Sequence, residues 1–345
     1  MKELNVLYQS SAAYAIPAAV SICSLFENNK DIDSIRIWFI DGGLTEEDKK
    51  KIGELAERYG RTISFLSGKR AESILSDVGV ELWSGSYATF YKIFICDELE
   101  DADRLLYIDS DTVILGSLEE LCDYDMDGYA CAMAGSGMTR AVKEYIGVTE
   151  YFNAGVIYFN LKYWREHKLV NDFLDVIKGN ECSRYTLVGD ETLNNHVMKG
   201  KIKKLPLKYN FESSWGLWGW NRKLYDRIGW EKPEGCYYDM EEISAAKNNP
   251  VIGHYVDLTT GRPWDYLNDN PFRLEFEKYS DILKPWKTID FAMRGIGGSN
   301  KIIARMKFVV KKIMPVALRS RIGFYQHDNF WRKKIAEAES NSVTA

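Results

Sequence analysis

The sequence predicts an α/β protein built on a mostly parallel, twisted, Rossmann-like sheet with helices on both faces. Three observations carry that expectation. Strand-like and helix-like segments alternate over the first two-thirds of the chain. The run Arg104–Ile108 is nearly all apolar, as a strand covered on both faces must be. The chain has 345 residues, 46% hydrophobic and 28% charged, which excludes disordered and fibrous classes and allows one large domain or two ordinary ones.

The elements follow in order. Residues 5–8 read as a strand. Residues 13–27 read as a helix, with Ile16, Val20, Cys23 and Phe26 near a 3.6-residue period. Residues 34–40 are β-branched and aromatic and end at Asp41-Gly42-Gly43, a strand and a loop. Thr45-Glu46-Glu47-Asp48 caps a helix whose inner face is Ile52, Leu55, Ala56 and Tyr59, and Gly60 closes it. Residues 62–66 form the next strand, residues 86–99 an amphipathic helix, and residues 104–108 a buried parallel strand. Residues 129–133 and 155–161 are two further strands, 190–199 a helix and 251–255 a late short strand. Residues 207–250 lack clean periodicity and hold Trp215, Trp218, Trp220 and Trp230, which suit either a core or stacking on a sugar. Gly295-Ile296-Gly297-Gly298-Ser299-Asn300 reads as a hinge. The chain therefore divides into a domain over 1–290 and a basic tail over 300–345.

The net charge is −5, unevenly spread: residues 301–334 carry ten basic residues against one acid, Asp328. Residues 301–318 read as one helix, its last turn broken or kinked at Pro315. Ile302, Ile303, Met306, Val309, Val310 and Ile313 form its apolar face, with Lys301, Arg305, Lys307, Lys311 and Lys312 beside it. Phe308, Met314, Phe324 and Trp331 add apolar surface. Such a helix fits an anionic membrane surface, here the inner leaflet, or packs on the acidic body of the protein. No apolar run is long enough to span a bilayer. Met1-Lys2-Glu3 makes a weak signal-peptide start, so a cytoplasmic protein, peripheral on the inner membrane face, is expected. Six cysteines without a CxxC pair read as buried reduced thiols, and four histidines leave little room for histidine-rich metal chemistry. No nucleic-acid partner is expected.

The sharpest chemical feature is Leu105-Leu106-Tyr107-Ile108-Asp109-Ser110-Asp111-Thr112. An apolar strand runs into two carboxylates, which can turn toward one point beyond the sheet. Two hard oxygen ligands suit Mg²⁺ or Mn²⁺ and, through it, phosphate oxygens. Two enzyme classes use such a pair. A haloacid-dehalogenase-type phosphotransferase has Asp-x-Asp-x-Thr/Val, matched by Asp109, Asp111 and Val113, with Asp109 as covalent nucleophile. A nucleotide-sugar glycosyltransferase holds a metal and a diphosphate on the pair.

Further motifs follow: Tyr151-Phe152-Asn153-Ala154-Gly155-Val156-Ile157-Tyr158-Phe159-Asn160-Leu161, then Gly189-Asp190-Glu191-Thr192-Leu193-Asn194-Asn195, then Leu205-Pro206-Leu207-Lys208-Tyr209-Asn210-Phe211, then Gly253-His254-Tyr255 with Gly261-Arg262-Pro263-Trp264. In this order, over residues 4–264, the sequence resembles glycosyltransferase family 8. That resemblance implies a GT-A fold, a UDP-sugar donor, Mn²⁺ (or Mg²⁺) as cofactor, retention of anomeric configuration and a bacterial surface glycan or glycolipid acceptor.

Residue by residue, it implies a metal site of Asp109, Asp111 and His254. It implies catalytic roles for Asp190 and Glu191, beside the reacting carbon. Donor contacts would come from Gln9, Ser10, Tyr14, Lys92, Ser110, Asn153, Ala154, Gly155, Gly261 and Arg262. Lys92 stands where the family uses Arg, and Arg262 where it uses Lys. Ser11, Ala12 and Ala13 replace the family's usual Asp-Asp-Asn before Tyr14, which admits a catalytically silent nucleotide-sugar-binding protein as an alternative.

Overall fold

The computed structural model describes residues 2–80, 86–95, 98–213, 238–256, 261–265, 268–283, 306, 309–310 and 312–344. Its centre is a seven-stranded sheet in the order β3-β2-β1-β4-β7-β6-β8. The strands are β1 (Glu3–Ser10), β2 (Ser34–Asp41), β3 (Thr62–Ser67), β4 (Arg104–Ile108), β6 (Cys131–Gly135), β7 (Phe152–Asn160) and β8 (Ile202–Lys204). A second sheet, β5-β10-β9, comprises β5 (Thr112–Ile114), β9 (Phe211–Glu212) and β10 (Ile252–His254).

Strands β3, β2, β1 and β4 are parallel, and β7 runs antiparallel to both β4 and β6. The mostly parallel sheet is therefore interrupted where β7 enters. Its nine residues, Phe152 to Asn160, are all buried, so no alternation of polar and apolar positions marks the direction. Alternate side chains of the central strands feed two apolar cores. Val6 and Tyr8 join helix Ala15–Asn28 and the small sheet, while Leu7, Leu105 and Tyr107 join helix Leu169–Lys178 and Trp164 on the other face.

Local signals held where they were strong. Thr45 and Asp48 form a reciprocal capping box on helix Glu46–Arg58, and Gly60 takes the left-handed conformation after it (φ +64). The helix expected over 86–99 is shorter: a 3₁₀ turn, Ala88–Phe90, leads into helix Tyr91–Phe94, nearly all of it buried. A one-sided periodicity was the wrong guide for a segment enclosed on every side.

The C-terminal region also differs from the expectation. The chain breaks at Pro315 as expected, but a new helix, Val316–Thr344, starts directly after it and runs far past 318, while residues 301–305, 307, 308 and 311 of the expected helix lie outside the described residues. Trp331 is 6% exposed and clusters with Met138, Val142, Ile146, Val148 and Tyr151 of the main body. Met306, Val309, Val310, Ile313, Leu318, Ile322, Tyr325 and Phe330 stay exposed. The four tryptophans between 215 and 230 and the glycine-rich stretch 295–300 lie outside the described residues. Among the described residues no helix is long and apolar enough to cross a membrane.

Candidate metal and donor site

Strand β4 ends at Ile108, and the chain leaves the main sheet through Asp109-Ser110-Asp111 before entering the small sheet as β5. This step is pinned from both sides. The Asp109 amide donates to Gly155 O at 2.7 Å, Ser110 Oγ donates to Gln9 O at 2.6 Å, and Thr112 Oγ1 donates to Asp109 O at 2.8 Å. Strand β10 lies antiparallel on β5, with His254 opposite Thr112 and the Tyr255 amide donating to Asp111 O at 2.9 Å. The junction between two sheets thus brings His254 to carboxylates more than 140 positions earlier in the sequence. The site lies beyond the carboxyl ends of β1 and β4, where ligands of such sheets bind.

One ligand atom each from Asp109, Asp111 and His254 lie within 4.8 Å of one another. His254 Nε2 is 3.5 Å from Asp111 Oδ1 and 3.7 Å from Asp109 Oδ2. Its Nδ1 is paired with Asn210 Oδ1 at 3.0 Å, which leaves Nε2 to face the acids. Two carboxylates and one imidazole suit Mn²⁺ or Mg²⁺. The packing also fits a built site: a Cβ on Gly155 would fall 2.8 Å from His254 Nδ1 and 2.9 Å from Asp109 Oδ2. Only glycine permits that approach.

The charges are unequal. Burial pushes Asp109 up to about 6, against the pull of Lys92, and the neighbouring Asp111 adds to the rise. Burial acts on Asp111 too, but the Arg262 guanidinium and His254 outweigh it and hold Asp111 well below the usual carboxylate range. Burial alone would lower His254, but its bond to Asp111 and both carboxylates raise it. Arg262 Nη1 bonds Asp111 Oδ2 and Tyr255 O. Gly261 before it is left-handed (φ +73), and its carbonyl accepts from Asn270 Nδ2 at 3.1 Å. Tyr14, 37% exposed, meets Trp264 edge-on at 5.8 Å, which places an aromatic rim beside Arg262.

A second group adjoins the first. Lys92 Nζ lies over the Tyr107 ring, 4.1 Å from its centroid, and 2.9 Å from Asp190 Oδ2. The Tyr107 hydroxyl donates to Asp109 Oδ1. Asp190 also accepts from Thr89 Oγ1 and, at 2.9 Å, from Asn194 Nδ2. In a third group, Glu191 Oε2 accepts from Asn153 Nδ2 (3.0 Å) and the Ala154 amide (3.1 Å). Burial pushes Glu191 up to about 8, only partly offset by the Ala154 amide.

The sequence-derived residues therefore fall into three touching clusters. Gln9 and Ser10 are the least committed to chemistry: Gln9 holds Ser110 through its backbone, and Ser10 Oγ donates to Ser11 O at 2.8 Å. The Ser110 hydroxyl is likewise spent on the backbone of β1. Gln9 Oε1 is buried with no protein partner among the described residues.

Four residues without a sequence-assigned role belong to the site. Tyr107 and Thr89 hold Asp109 and Asp190. Asn210 links His254 to Asn153. Glu212, 5% exposed, stands opposite His254 in the β9–β10 register and accepts from Ser136 Oγ at 2.9 Å. Glu212 is the one acid between Leu205 and Trp215, which was the available signal for it.

The sequence profile of glycosyl transferase family 8 matches residues 5–268. General stress protein A of Bacillus subtilis is 24% identical over 298 residues, spanning 84% of this chain and 98% of that protein. A lipopolysaccharide 1,2-glucosyltransferase of Escherichia coli is 26% identical over 83% of this chain and 80% of its own length. The chain spans a smaller share, 63%, of a putative glycosyltransferase from Haemophilus influenzae. The structure of the galactosyltransferase LgtC, solved with donor and acceptor sugar analogues, superposes with a TM-score of 0.64 over 82% of this chain and all of that one, at 18% identity. The fold is GT-A. The chain belongs to glycosyltransferase family 8 and is a glycosyltransferase, which sets aside the phosphotransferase reading of Asp109.

Proposed function

We propose that this family 8 glycosyltransferase moves a hexose, glucose or galactose, from a UDP-sugar to a bacterial surface glycan or glycolipid with retention of configuration. Asp109, Asp111 and His254 would hold Mn²⁺ or Mg²⁺. The observation that carries the reading is the convergence of these three side chains beyond β1 and β4, with Arg262 against Asp111. A divalent ion there supplies charge neutralisation for a departing diphosphate. Arg262 adds a fixed cation on the same side. Tyr14 and Trp264 offer ring faces to a base. Asn153 and Glu191 orient donor-sugar hydroxyls, and Asp190, fixed by Lys92, Thr89 and Asn194, presents a rigid negative field to a developing oxocarbenium-like carbon.

The lipopolysaccharide glucosyltransferase among the relatives supports the surface-glycan acceptor. The exposed Met306, Val309, Val310 and Ile313, in a stretch rich in lysine and arginine, support peripheral attachment to an anionic inner leaflet, where a lipid-linked acceptor would be presented.

Incubation of the full chain with UDP-glucose or UDP-galactose and Mn²⁺ tests the reading. Slow UDP release is expected without acceptor, lost with a chelator or in Asp111→Asn. Binding of the nucleotide sugar with no release under any condition would instead favour a silent binding protein.

A further inference from the structure

The hydrogen bonds around His254 form a directed chain whose polarity is set by one backbone amide. The Gly155 N–H can only donate, and it points at Asn153 at 2.9 Å, so the receiving atom is the Asn153 carbonyl oxygen, Oδ1. The same oxygen lies 2.8 Å from the Asn210 side chain, which must therefore present its NH₂ there. That leaves the Asn210 carbonyl oxygen, 3.0 Å from His254 Nδ1, as an acceptor, and Nδ1 must carry a hydrogen. At the other end, the Asn153 NH₂ donates to Glu191 Oε2 at 3.0 Å, which agrees with the same amide orientation.

All members of the chain from Asn153 to His254 are buried: Asn153 is 8%, Asn210 1% and His254 4% exposed. In such an enclosed chain a reversed amide would face donor with donor or acceptor with acceptor and leave those groups unsatisfied.

From this we infer that Asn210 is a positioning residue that fixes His254 in the Nδ1–H tautomer and presents the Nε2 lone pair to a divalent cation between Asp109 and Asp111. It acts through two amides on an order given by the Gly155 backbone. The inference deepens the metal-site reading and rests on it for its purpose, while the hydrogen on Nδ1 is required by the Asn210 carbonyl with or without an ion. It also makes Asn210 the link between the imidazole and Asn153, which contacts Glu191.

Two measurements test this on the full chain. Long-range ¹H–¹⁵N spectra of ring-labelled protein report each tautomer, and only four histidines must be assigned. The metal-free wild type, in the neutral-imidazole form, should show His254 as Nδ1–H. Asn210→Ala should give a mixture with Nε2–H. Mn²⁺ titration should show affinity falling roughly ten- to a hundredfold in Asn210→Ala, the range for loss of such an outer partner. Asn210→Asp can accept from Nδ1 but cannot donate to Asn153, so it should retain both the tautomer and the Mn²⁺ affinity. A wild-type His254 found as Nε2–H, or an Asn210→Ala protein unchanged in tautomer and affinity, overturns the inference. A wild type that binds no Mn²⁺ but shows Nδ1–H, lost in Asn210→Ala, overturns the metal reading and leaves the tautomer assignment standing.

Discussion

Lys92 Nζ lies 2.9 Å from Asp190 Oδ2, and their side chains are 3% and 6% exposed. Lys92, expected as a donor contact in place of the family's Arg, is a buried cation held between a carboxylate and the Tyr107 ring.

Removing one partner should therefore be costly. Lys92→Met leaves the Asp190 charge buried and uncompensated and should lower stability by about 3–5 kcal/mol. Replacing both, as in Lys92→Met with Asp190→Leu, should recover most of that loss, because the pair is expensive to desolvate. Urea denaturation of the two variants decides: equal loss in both would show that the pair itself, not the orphaned charge, carries the stability.

Asp190 and Glu191 should separate by kinetics. Asp190→Asn is expected to lower kcat far more than it weakens UDP binding, because the proposed role of its charge is at the reacting carbon. Turnover within about twofold of wild type would remove it from the mechanism.

Glu191 should leave a signature in stability against pH. Its carboxyl is raised from 4.5 to about 8 by burial. The folded protein then holds a proton that the unfolded chain releases, so stability from this group is full below pH 4.5 and falls as pH rises toward 8. Glu191→Gln should flatten that decline. Thermal unfolding between pH 5 and 9 in both proteins, with parallel curves, would show that Glu191 is ionised throughout.

Gly155→Ala should disable the metal site with a modest effect on the fold. The added methyl meets His254 Nδ1 and Asp109 Oδ2 below contact distance, while overpacking of this kind costs about 1–3 kcal/mol. Mn²⁺ affinity should drop sharply although the protein still unfolds cooperatively. Retained affinity would mean that β7 can shift away.

The two halves of the C-terminal region should behave differently. Trp331 belongs to the packed body, so Trp331→Ala should cost about 3–5 kcal/mol. Val310→Ser with Ile313→Ser changes exposed positions and should leave stability nearly unchanged while reducing sedimentation with anionic vesicles at low salt. Equal sedimentation of this variant and the wild type would exclude these residues from membrane contact.

Local chemistry made some features legible at once. The Thr45–Asp48 capping box, the Gly60 helix end and the apolar run into Asp109 and Asp111 each depend on neighbours a few residues away. The motif order also pointed to the family, including His254 and Arg262. Tertiary structure decided what depends on enclosure and on pairing between distant segments. The direction of β7 was hidden because a strand buried on both faces shows no alternation. The shortness of helix Tyr91–Phe94 was hidden because burial on all sides erases its periodicity. Trp331 read as free apolar surface because its partners, Met138 to Tyr151, lie almost 200 positions earlier. Asn210 and Glu212 gained their places only when β9 aligned on β10 and β10 on β5. The sequence by itself named Asp109, Asp111 and His254 as candidate ligands. The junction of two sheets determined how the imidazole among them is oriented, because hydrogen-bond polarity among buried groups is a property of contacts rather than of composition.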